Sequence, residues 1–306
     1  MTASLLFVQL LNGFQLGVLL FLLSAGLTLV LGIMNVVNLA HGSLYMMGAY
    51  FAAAVYGRTD SFLLSAIAAV AGALVLGWIV ERIVVARLYA RDHLDQVLAT
   101  FGLILMINEG VRIVWGQSPL FIALPDFLQG TIDLFGLPYP AYRFAIIAVG
   151  LIVALGLWLA INRTRLGMLI RAGASDAMMV SALGVNIGRI NAAVFGIGAG
   201  LAGLAGLMAA PILSVQPGMG EPILILTLVV IVTGGIGSIR GALYGALIVG
   251  IADTMGRALM PGLLREVFER SLAQAAGPAF ASMLIYILMA VVLALRPQGL
   301  FPVRHG

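Results

Sequence analysis

The first 57 residues of the chain carry no charged side chain, since the first Asp, Glu, Lys or Arg is Arg58. Further apolar stretches follow, and a helix of about 20 apolar residues is long enough to cross a bilayer. Of 306 residues, 62% are hydrophobic and 9% are charged, against about 25% charged in a soluble domain. The apolar runs are continuous, unlike the alternating pattern of a transmembrane barrel. We therefore predict an all-α, polytopic membrane protein.

The apolar runs divide the chain into nine predicted spans, or eight if 222–259 is one long interrupted helix. The whole of 1–306 is expected to form a single transmembrane domain. Three connections are longer than turns, and in 260–278 the motif LLREVFERSLAQ predicts a short amphipathic helix at the membrane interface. The predicted spans are 5–32, 40–57, 62–84, 96–115, 142–162, 190–213, 222–238, 241–259 and 279–295.

Arginine accounts for all 16 basic residues other than histidine. If the polar connection 163–189 is cytoplasmic, ten arginines lie inside and six outside. Because cytoplasmic loops are enriched in basic residues, this bias predicts a cytoplasmic C-terminus and, with nine spans, an external N-terminus. Most of the arginines lie between or beyond the predicted spans, and the other four lie near span ends, so we interpret them as topology determinants. We expect membrane lipid, and no nucleic acid, as a partner of the chain.

Two asparagines and a histidine interrupt the first apolar region, in the stretch GIMNVVNLAHGSLYMMGAY from Gly32 to Tyr50. Asn35, Asn38 and His41 follow one another at intervals of three, which predicts that they lie on roughly one face of a helix. Polar groups at membrane depth must face protein or a water-filled cavity. These residues could border a substrate pathway at a helix break, or cap two helix ends and bond across the bundle. No second histidine or carboxylate lies near His41 in sequence, so we predict no metal site.

The same region has a possible internal repeat. LTLVLGIMNVVNLAHGSLY (27–45) aligns without gaps to LTLVVIVTGGIGSIRGALY (226–244). Both copies predict a helix, a break and a second helix, which is how many transporters build a central pathway. Chance matching between apolar segments is the alternative. The glycine-rich GIGAGLAGLAG (196–206) predicts close helix packing instead of a ligand site.

Charged residues mark three further features. The segment 162–191 is too polar to span, and in it Asp176 is placed to begin a short helix that Gly184 ends. It could be a surface helix available to a partner or an ordinary amphipathic loop. Glu109 and Arg112 are spaced to pair on a helix, either as a structural ion pair or as a contact for a substrate ammonium. Glu221 has the position of a helix N-terminal charge.

Several segments, in order, resemble the permease subunits of branched-chain amino acid ABC importers. They are NLAHGSLYMMGAY (38–50), TFGLILMINEGVRIVWG (100–116), VTGGIGSIRGALYGALIVG (232–250) and RPQGLFP (296–302), with the loop 163–189 resembling the cytoplasmic coupling loop. The segment 260–278 departs from the family by being longer and more charged. The resemblance implies a multi-pass protein of the bacterial inner membrane that moves branched-chain amino acids by alternating access.

The resemblance also implies partners. These are ATP-binding cassette subunits, a second permease subunit of the same or a related kind, and a periplasmic or lipid-anchored substrate-binding protein. ATP and magnesium would be bound by the partner ATPase, with no cofactor in this chain. A coupling helix at about 174–184 would dock on the ATPase, and the positions carried over for coupling are Arg171, Asp176, Gly184 and Asn186.

Other functions fit the sequence less well. An ion-coupled secondary transporter needs carboxylates near the midplane, and only Glu109 and Asp253 are candidates. An intramembrane enzyme is disfavoured because the motif H-E-x-x-H is absent and only 3 histidines occur, so we predict no catalytic residues. Urea, short amides or aromatic acids are alternative substrates for such a permease. The predicted pathway residues are Asn35, Asn38, His41 and Glu109.

Overall fold

The computed structural model describes residues 3–134, 136–266 and 268–301, and α-helices make up most of that part of the chain. Between α4 and α5 a short antiparallel hairpin pairs β1 (Thr131–Leu134) with β2 (Leu137–Pro140). The helices are α1 (Ala3–Met34), α2 (His41–Thr59), α3 (Phe62–Ile83), α4 (His93–Trp115), α5 (Ala141–Arg163), α6 (Arg165–Ser175), α7 (Ala177–Ala182), α8 (Ile187–Ala209), α9 (Gly220–Gly234), α10 (Ile239–Leu264) and α11 (Arg270–Leu295).

The prediction of an all-α, polytopic membrane protein is confirmed. Each predicted span coincides with one helix, although 190–213 and 222–238 extend four residues past the ends of α8 and α9. Of the described helices, 7 are long and apolar enough to cross a membrane. The other two at predicted spans are α2, which is largely buried, and α9, which has only 15 residues. The region 222–259 is two helices, because α9 ends at Gly234 and α10 begins at Ile239.

The predicted interfacial helix in 260–278 is wrong. α10 continues through Pro261 to Leu264 and α11 begins at Arg270, so the motif is divided between two long helices and the turn between them. Arg265, Glu266 and the neighbouring charges are exposed at that turn. Charges at the ends of two spanning helices therefore produced the amphipathic pattern that the sequence shows.

Glycines allow α1 to pack closely against three other parts of the chain. A Cβ atom on Gly17 would lie 2.8 Å from Leu247 Cα of α10, and one on Gly26 would lie 2.6 Å from the Gly198 carbonyl oxygen of α8. Near the end of the helix, a Cβ on Gly32 would lie 2.7 Å from Gly237 Cα. Since apolar burial does not drive helices together in lipid, such contacts supply the packing. α1 is thus the central helix of the bundle.

The glycine-rich stretch of α8 forms the second tight contact region, as the sequence predicts. A Cβ on Gly203 would lie 2.5 Å from Ala73 Cβ of α3, and one on Gly206 would overlap the Tyr45 carbonyl oxygen of α2. α8 therefore packs α1, α2 and α3 at backbone distance.

The two copies of the possible repeat have the same helix–break–helix form. The alignment pairs Met34 with Thr233 and His41 with Arg240; α1 ends at Met34 and α9 at Gly234, while α2 begins at His41 and α10 at Ile239. The breaks therefore coincide to within one residue. The course of the chain differs, because α9 and α10 touch directly at Gly234 and Gly241.

A bulky residue at the α8 crossing should prevent the bundle from closing. We expect Gly203→Leu to abolish the folded protein or lower its stability by at least roughly 1–3 kcal/mol, the usual cost of overpacking. Gly102→Leu is the matched control, since nothing lies within 4 Å of a Cβ there. The measurement is the yield of monodisperse protein in mild detergent and its thermal unfolding. Equal behaviour of the two variants would contradict the packing argument.

Candidate functional site

Residues 35–40 connect α1 to α2 without helical structure. The three predicted polar residues differ in how far they are exposed. Asn35 directly follows α1 with a φ of +51°, a left-handed conformation that asparagine tolerates better than most residues. Its side chain is exposed. Asn38 and His41 are each only 1% exposed. The sequence spacing predicted one shared face, whereas the non-helical backbone exposes Asn35 and buries Asn38 and His41.

The break runs back along α1 toward the middle of the bundle. His41 Nε2 lies 3.1 Å from the carbonyl oxygen of Leu23, although about 16 Å of helix separates Leu23 from Met34 at the end of α1. Asn38 Oδ1 accepts a hydrogen bond from the Ala40 amide, 3.0 Å away, just before α2 begins. α2 therefore starts deep inside the bundle. The bond between His41 and Leu23 crosses the bundle, as one of the two interpretations predicted. The predicted capping is not seen at α2, which has no side-chain cap hydrogen bond, because the Asn38 bond is to Ala40, the residue before the helix.

Gln96 of α4 holds this break in place, and our sequence analysis missed it. Its Oε1 accepts from the Val37 amide at 3.1 Å. Its Nε2 donates to the carbonyl oxygens of Leu88 and Arg91, each 3.2 Å away. The side chain is buried, so it satisfies three backbone groups from within the protein. A polar residue inside a predicted span was the available signal.

A buried acid lies close to the same end of α1. Glu81 of α3 accepts a hydrogen bond from the Tyr89 hydroxyl at 2.5 Å, and that hydroxyl also lies 3.8 Å from Met34 Sδ. Burial first, and then the bond to Glu81, raise the pKa of Tyr89 well above its ordinary value. The tyrosine therefore stays protonated as a donor to the carboxylate. This contact fixes the connection between α3 and α4 against α1.

A cavity of about 620 Å³ opens beside the end of α1, and we call it the Asn35 cavity. Its walls come from the last turns of α1 and α5, from α6, and from the break between α9 and α10. Polar groups from all of these segments face it: Thr28, Asn35, Asn162, Arg171, Ser175, Ser238 and Arg240. It therefore joins the break in the first repeat copy to the break in the second.

A second cavity, of about 570 Å³, lies beside the first half of α1, and we call it the Asn12 cavity. Asp253 is buried, and its Oδ1 and Oδ2 accept from Arg257 Nε at 2.9 and 3.0 Å. Arg143 donates to Asn12 Oδ1. The lining residues are Gln9, Asn12, Gln15, Leu16, Leu19, Arg143, Ala209, Ile212, Leu213, Asp253, Thr254, Arg257 and Ala258.

The two cavities are separated by a closed part of α1. Leu19 lines the Asn12 cavity and Thr28 lines the Asn35 cavity, which leaves about 13 Å of helix between them. Residues 20–27 are all buried. We call this segment the α1 barrier. His41 contacts it at Leu23, and α8 crosses it at Gly26.

Glu109 lies apart from the other predicted pathway residues. It forms an ion pair with Arg112, with 2.7 Å between Oε1 and Nη1, and both side chains are exposed. It lines neither cavity. Its neighbour Asn108 is better placed inside the protein, because its Nδ2 donates to Glu221 Oε1 at 2.5 Å and its Oδ1 accepts from the Gly218 amide at 3.2 Å. The pathway role of Glu109 stays a prediction.

The four predicted coupling residues lie within α6 or close to the ends of α7. Asp176 caps α7 by accepting from the Met179 amide at 2.9 Å, and Gly184 follows that helix with a φ of +85°. Asn186 caps α8, and Arg171 Nη1 donates to the Ile161 carbonyl oxygen. The predicted helix at 174–184 is shorter in the structure, because Asp176 interrupts it. The docking role itself stays a prediction.

Comparison with known proteins gives a consistent picture. Residues 9–293 match the family described as branched-chain amino acid transport system / permease component. The chain is 32% identical to the high-affinity branched-chain amino acid transport permease BraD of Pseudomonas aeruginosa, over 95% of this chain and 94% of that protein. It is 31% identical to LivH of Escherichia coli K12, over 86% and 90%. The ribose import permease RbsC of that bacterium is 28% identical, over 76% and 72%. No solved structure matches significantly.

Replacing His41 should separate folding from activity. We expect His41→Leu to lower solute uptake severalfold while the amount of protein in the membrane changes little, because the contact with the α1 barrier is lost. His41→Gln keeps an N–H donor and should retain more uptake. The measurements are uptake by cells and membrane content by immunoblot. Equal loss of both in His41→Leu would leave His41 with a role in folding alone.

Proposed function

Because the chain belongs to the branched-chain amino acid transport permease family, we propose that it moves branched-chain amino acids across the bacterial inner membrane as the permease subunit of an ATP-driven importer. The family relation carries the transport role. The substrate rests on the names of the relatives, which are described as high-affinity branched-chain amino acid permeases.

The observation that supports the mechanism is the pair of cavities at opposite ends of the α1 barrier. Each is large enough for a small solute, and the buried residues 20–27 lie between them. Transport by alternating access needs such a barrier to open toward one cavity at a time. The break at 35–40 leads from the Asn35 cavity to His41, the first residue of α2, which contacts Leu23 in the barrier. Movement of α2 would therefore change the closed segment directly.

The arginine bias supports an orientation with the Asn35 cavity, α6–α7 and the C-terminus on the cytoplasmic side and the Asn12 cavity outside. α7 and the residue that follows it expose an apolar surface there, since Met178 is 84% and Leu183 76% exposed. This surface suits a groove on an ATP-binding cassette subunit. α6 also lines the Asn35 cavity through Arg171 and Ala174. A displacement of α7 by the partner would therefore be transmitted to the cavity through α6, the adjoining helix.

In this proposal the chain is not itself an enzyme and holds no cofactor. ATP and magnesium belong to the partner subunits. A second permease subunit, the same or related, completes the membrane part, and a periplasmic or lipid-anchored protein delivers the substrate on the outside.

The proposal is tested by reconstituting the complete complex in vesicles with its binding protein. We expect uptake of radiolabelled leucine, isoleucine or valine that requires ATP inside the vesicles and stops when the catalytic residues of the ATPase are inactivated. Uptake of ribose or urea in place of these amino acids would contradict the substrate. Uptake driven by an ion gradient without ATP would contradict the importer class.

The docking surface gives a second expectation. A charge at the most exposed apolar residue of α7 should prevent association, because a carboxylate would be desolvated in an apolar groove. We expect tagged Met178→Glu to recover at least severalfold less ATPase subunit from mild detergent than the native chain. Phe127→Glu, 80% exposed in the connection between α4 and β1, is the matched control and should recover the native amount. Unchanged recovery by Met178→Glu would exclude α7 from the interface.

A further inference from the structure

The Asn12 cavity carries three kinds of group that together match one class of molecule. Arg143 and Arg257 bring positive charge, and the amides of Gln9, Asn12 and Gln15 bring hydrogen-bond acceptors. Leu16, Leu19, Ile212 and Leu213 supply an apolar wall. An amino acid with a branched side chain has a carboxylate, an ammonium group and an apolar part. A free sugar or urea has no carboxylate to pair with an arginine.

The two arginines of the cavity are in different states. Arg257 is already neutralised, because both oxygens of Asp253 accept from its Nε at about 3 Å. Arg143, in contrast, donates to a neutral partner, Asn12 Oδ1. Among the described residues, no carboxylate lies within 4.0 Å of the Arg143 guanidinium. The charged lining residues of the cavity therefore leave one uncompensated positive charge.

The amide side chains form a row along the same face of α1. Asn12 Nδ2 donates to Gln9 Oε1 at 3.3 Å, while Asn12 Oδ1 accepts from Arg143. Gln15, one turn further into the membrane, lines the cavity with no hydrogen bond to another described side chain. Its amide oxygen is therefore available to an ammonium group. The row leads from Arg143 toward Leu19, where the α1 barrier begins.

We propose that the Asn12 cavity binds the amino acid as a zwitterion before it crosses the barrier, with Arg143 pairing with the substrate carboxylate. The Gln15 amide oxygen accepts from the ammonium group, and the leucine and isoleucine wall contacts the side chain. Arg143 exchanges its bond to Asn12 for a charge-assisted one, which arginine makes with carboxylates in a two-point geometry. This assignment rests on the proposed function and adds the chemical group by which the permease itself recognises its substrate.

The absence of cysteine from the chain allows a direct test of occupancy. Ala258→Cys places a single thiol in the wall of the cavity, and its reaction with a charged thiol reagent is followed in membranes that contain the whole complex, washed free of binding protein. We expect millimolar leucine to slow this labelling. Isoamylamine, which has the same side chain and amine but no carboxylate, should not. Gly57→Cys, in open space at the end of α2, is the control and should label at the same rate with either compound.

Arg143→Gln, made in the Ala258→Cys background, tests the residue. Because hydrogen bonds to charged groups are stronger than neutral ones, half-protection should need roughly ten- to a hundredfold more leucine. Arg143→Lys keeps the charge and should need less of an increase. Arg112→Gln, which removes an exposed arginine from another helix, should change nothing.

Three results of the labelling alone would overturn the assignment. They are equal protection by isoamylamine and leucine, protection that survives Arg143→Gln, and no protection in the native background. The last result leaves ATP-dependent uptake of leucine as a separate measurement, so failure of this site is distinguishable from failure of the transport function. Loss of protection in both Arg143 variants together with loss of the complex from the membrane would assign Arg143 to folding, which also overturns the proposal.

Discussion

Close approach of helix backbones is the interaction on which this bundle depends. In lipid, apolar side chains gain little by leaving their surroundings, so association relies on packing and hydrogen bonds. Gly26 of α1 and Gly198 of α8 meet without side chains between them, and Gly17 brings α1 onto α10. These contacts hold α1 at the centre. The barrier and both cavities are consequences of that position, because each is built along α1.

Tight packing leaves several polar groups without hydrogen-bond partners. Thr28 Oγ1, Asn38 Nδ2 and Thr233 Oγ1 are buried without a partner among the described residues, as are polar atoms of Tyr50, Glu81, Tyr139 and Asn191. The first three belong to the two repeat copies, with Asn38 in the first break, Thr233 just before the second and Thr28 within α1. A buried polar group without a partner costs about 1–3 kcal/mol. A second arrangement of the breaks that gave these groups hydrogen-bond partners would therefore recover this free energy.

The sequence predicts where the helices lie, but it does not predict where the cavities form. Long uncharged runs identify spans because a helix is the only way to satisfy the backbone in lipid without a closed barrel. Asn35, Asn38 and His41 marked a break for the same reason. Their separation into exposed and buried residues depends on the path of 35–40, which Gln96 fixes from a helix far away in sequence. Similarly, Asn12, Arg143 and Asp253 meet only because α1, α5 and α10 pack together. A short polar motif does not show which residues, distant in sequence, will lie together in the fold.

The short helix α9 has a consequence for the surrounding lipid. Its 15 residues extend about 22 Å, less than the roughly 30 Å of a hydrocarbon core. It begins beside Gly42, near the start of α2 inside the bundle, so the non-helical segment 210–219 must enter the bundle to connect to it. Two backbone hydrogen bonds between Val215 and Leu120, each 2.9 Å long, hold that segment in place. A thicker bilayer would surround more of this irregular backbone with hydrocarbon, whereas the long helices could adjust by tilting. Bilayer thickness is thus one of the forces acting on this protein.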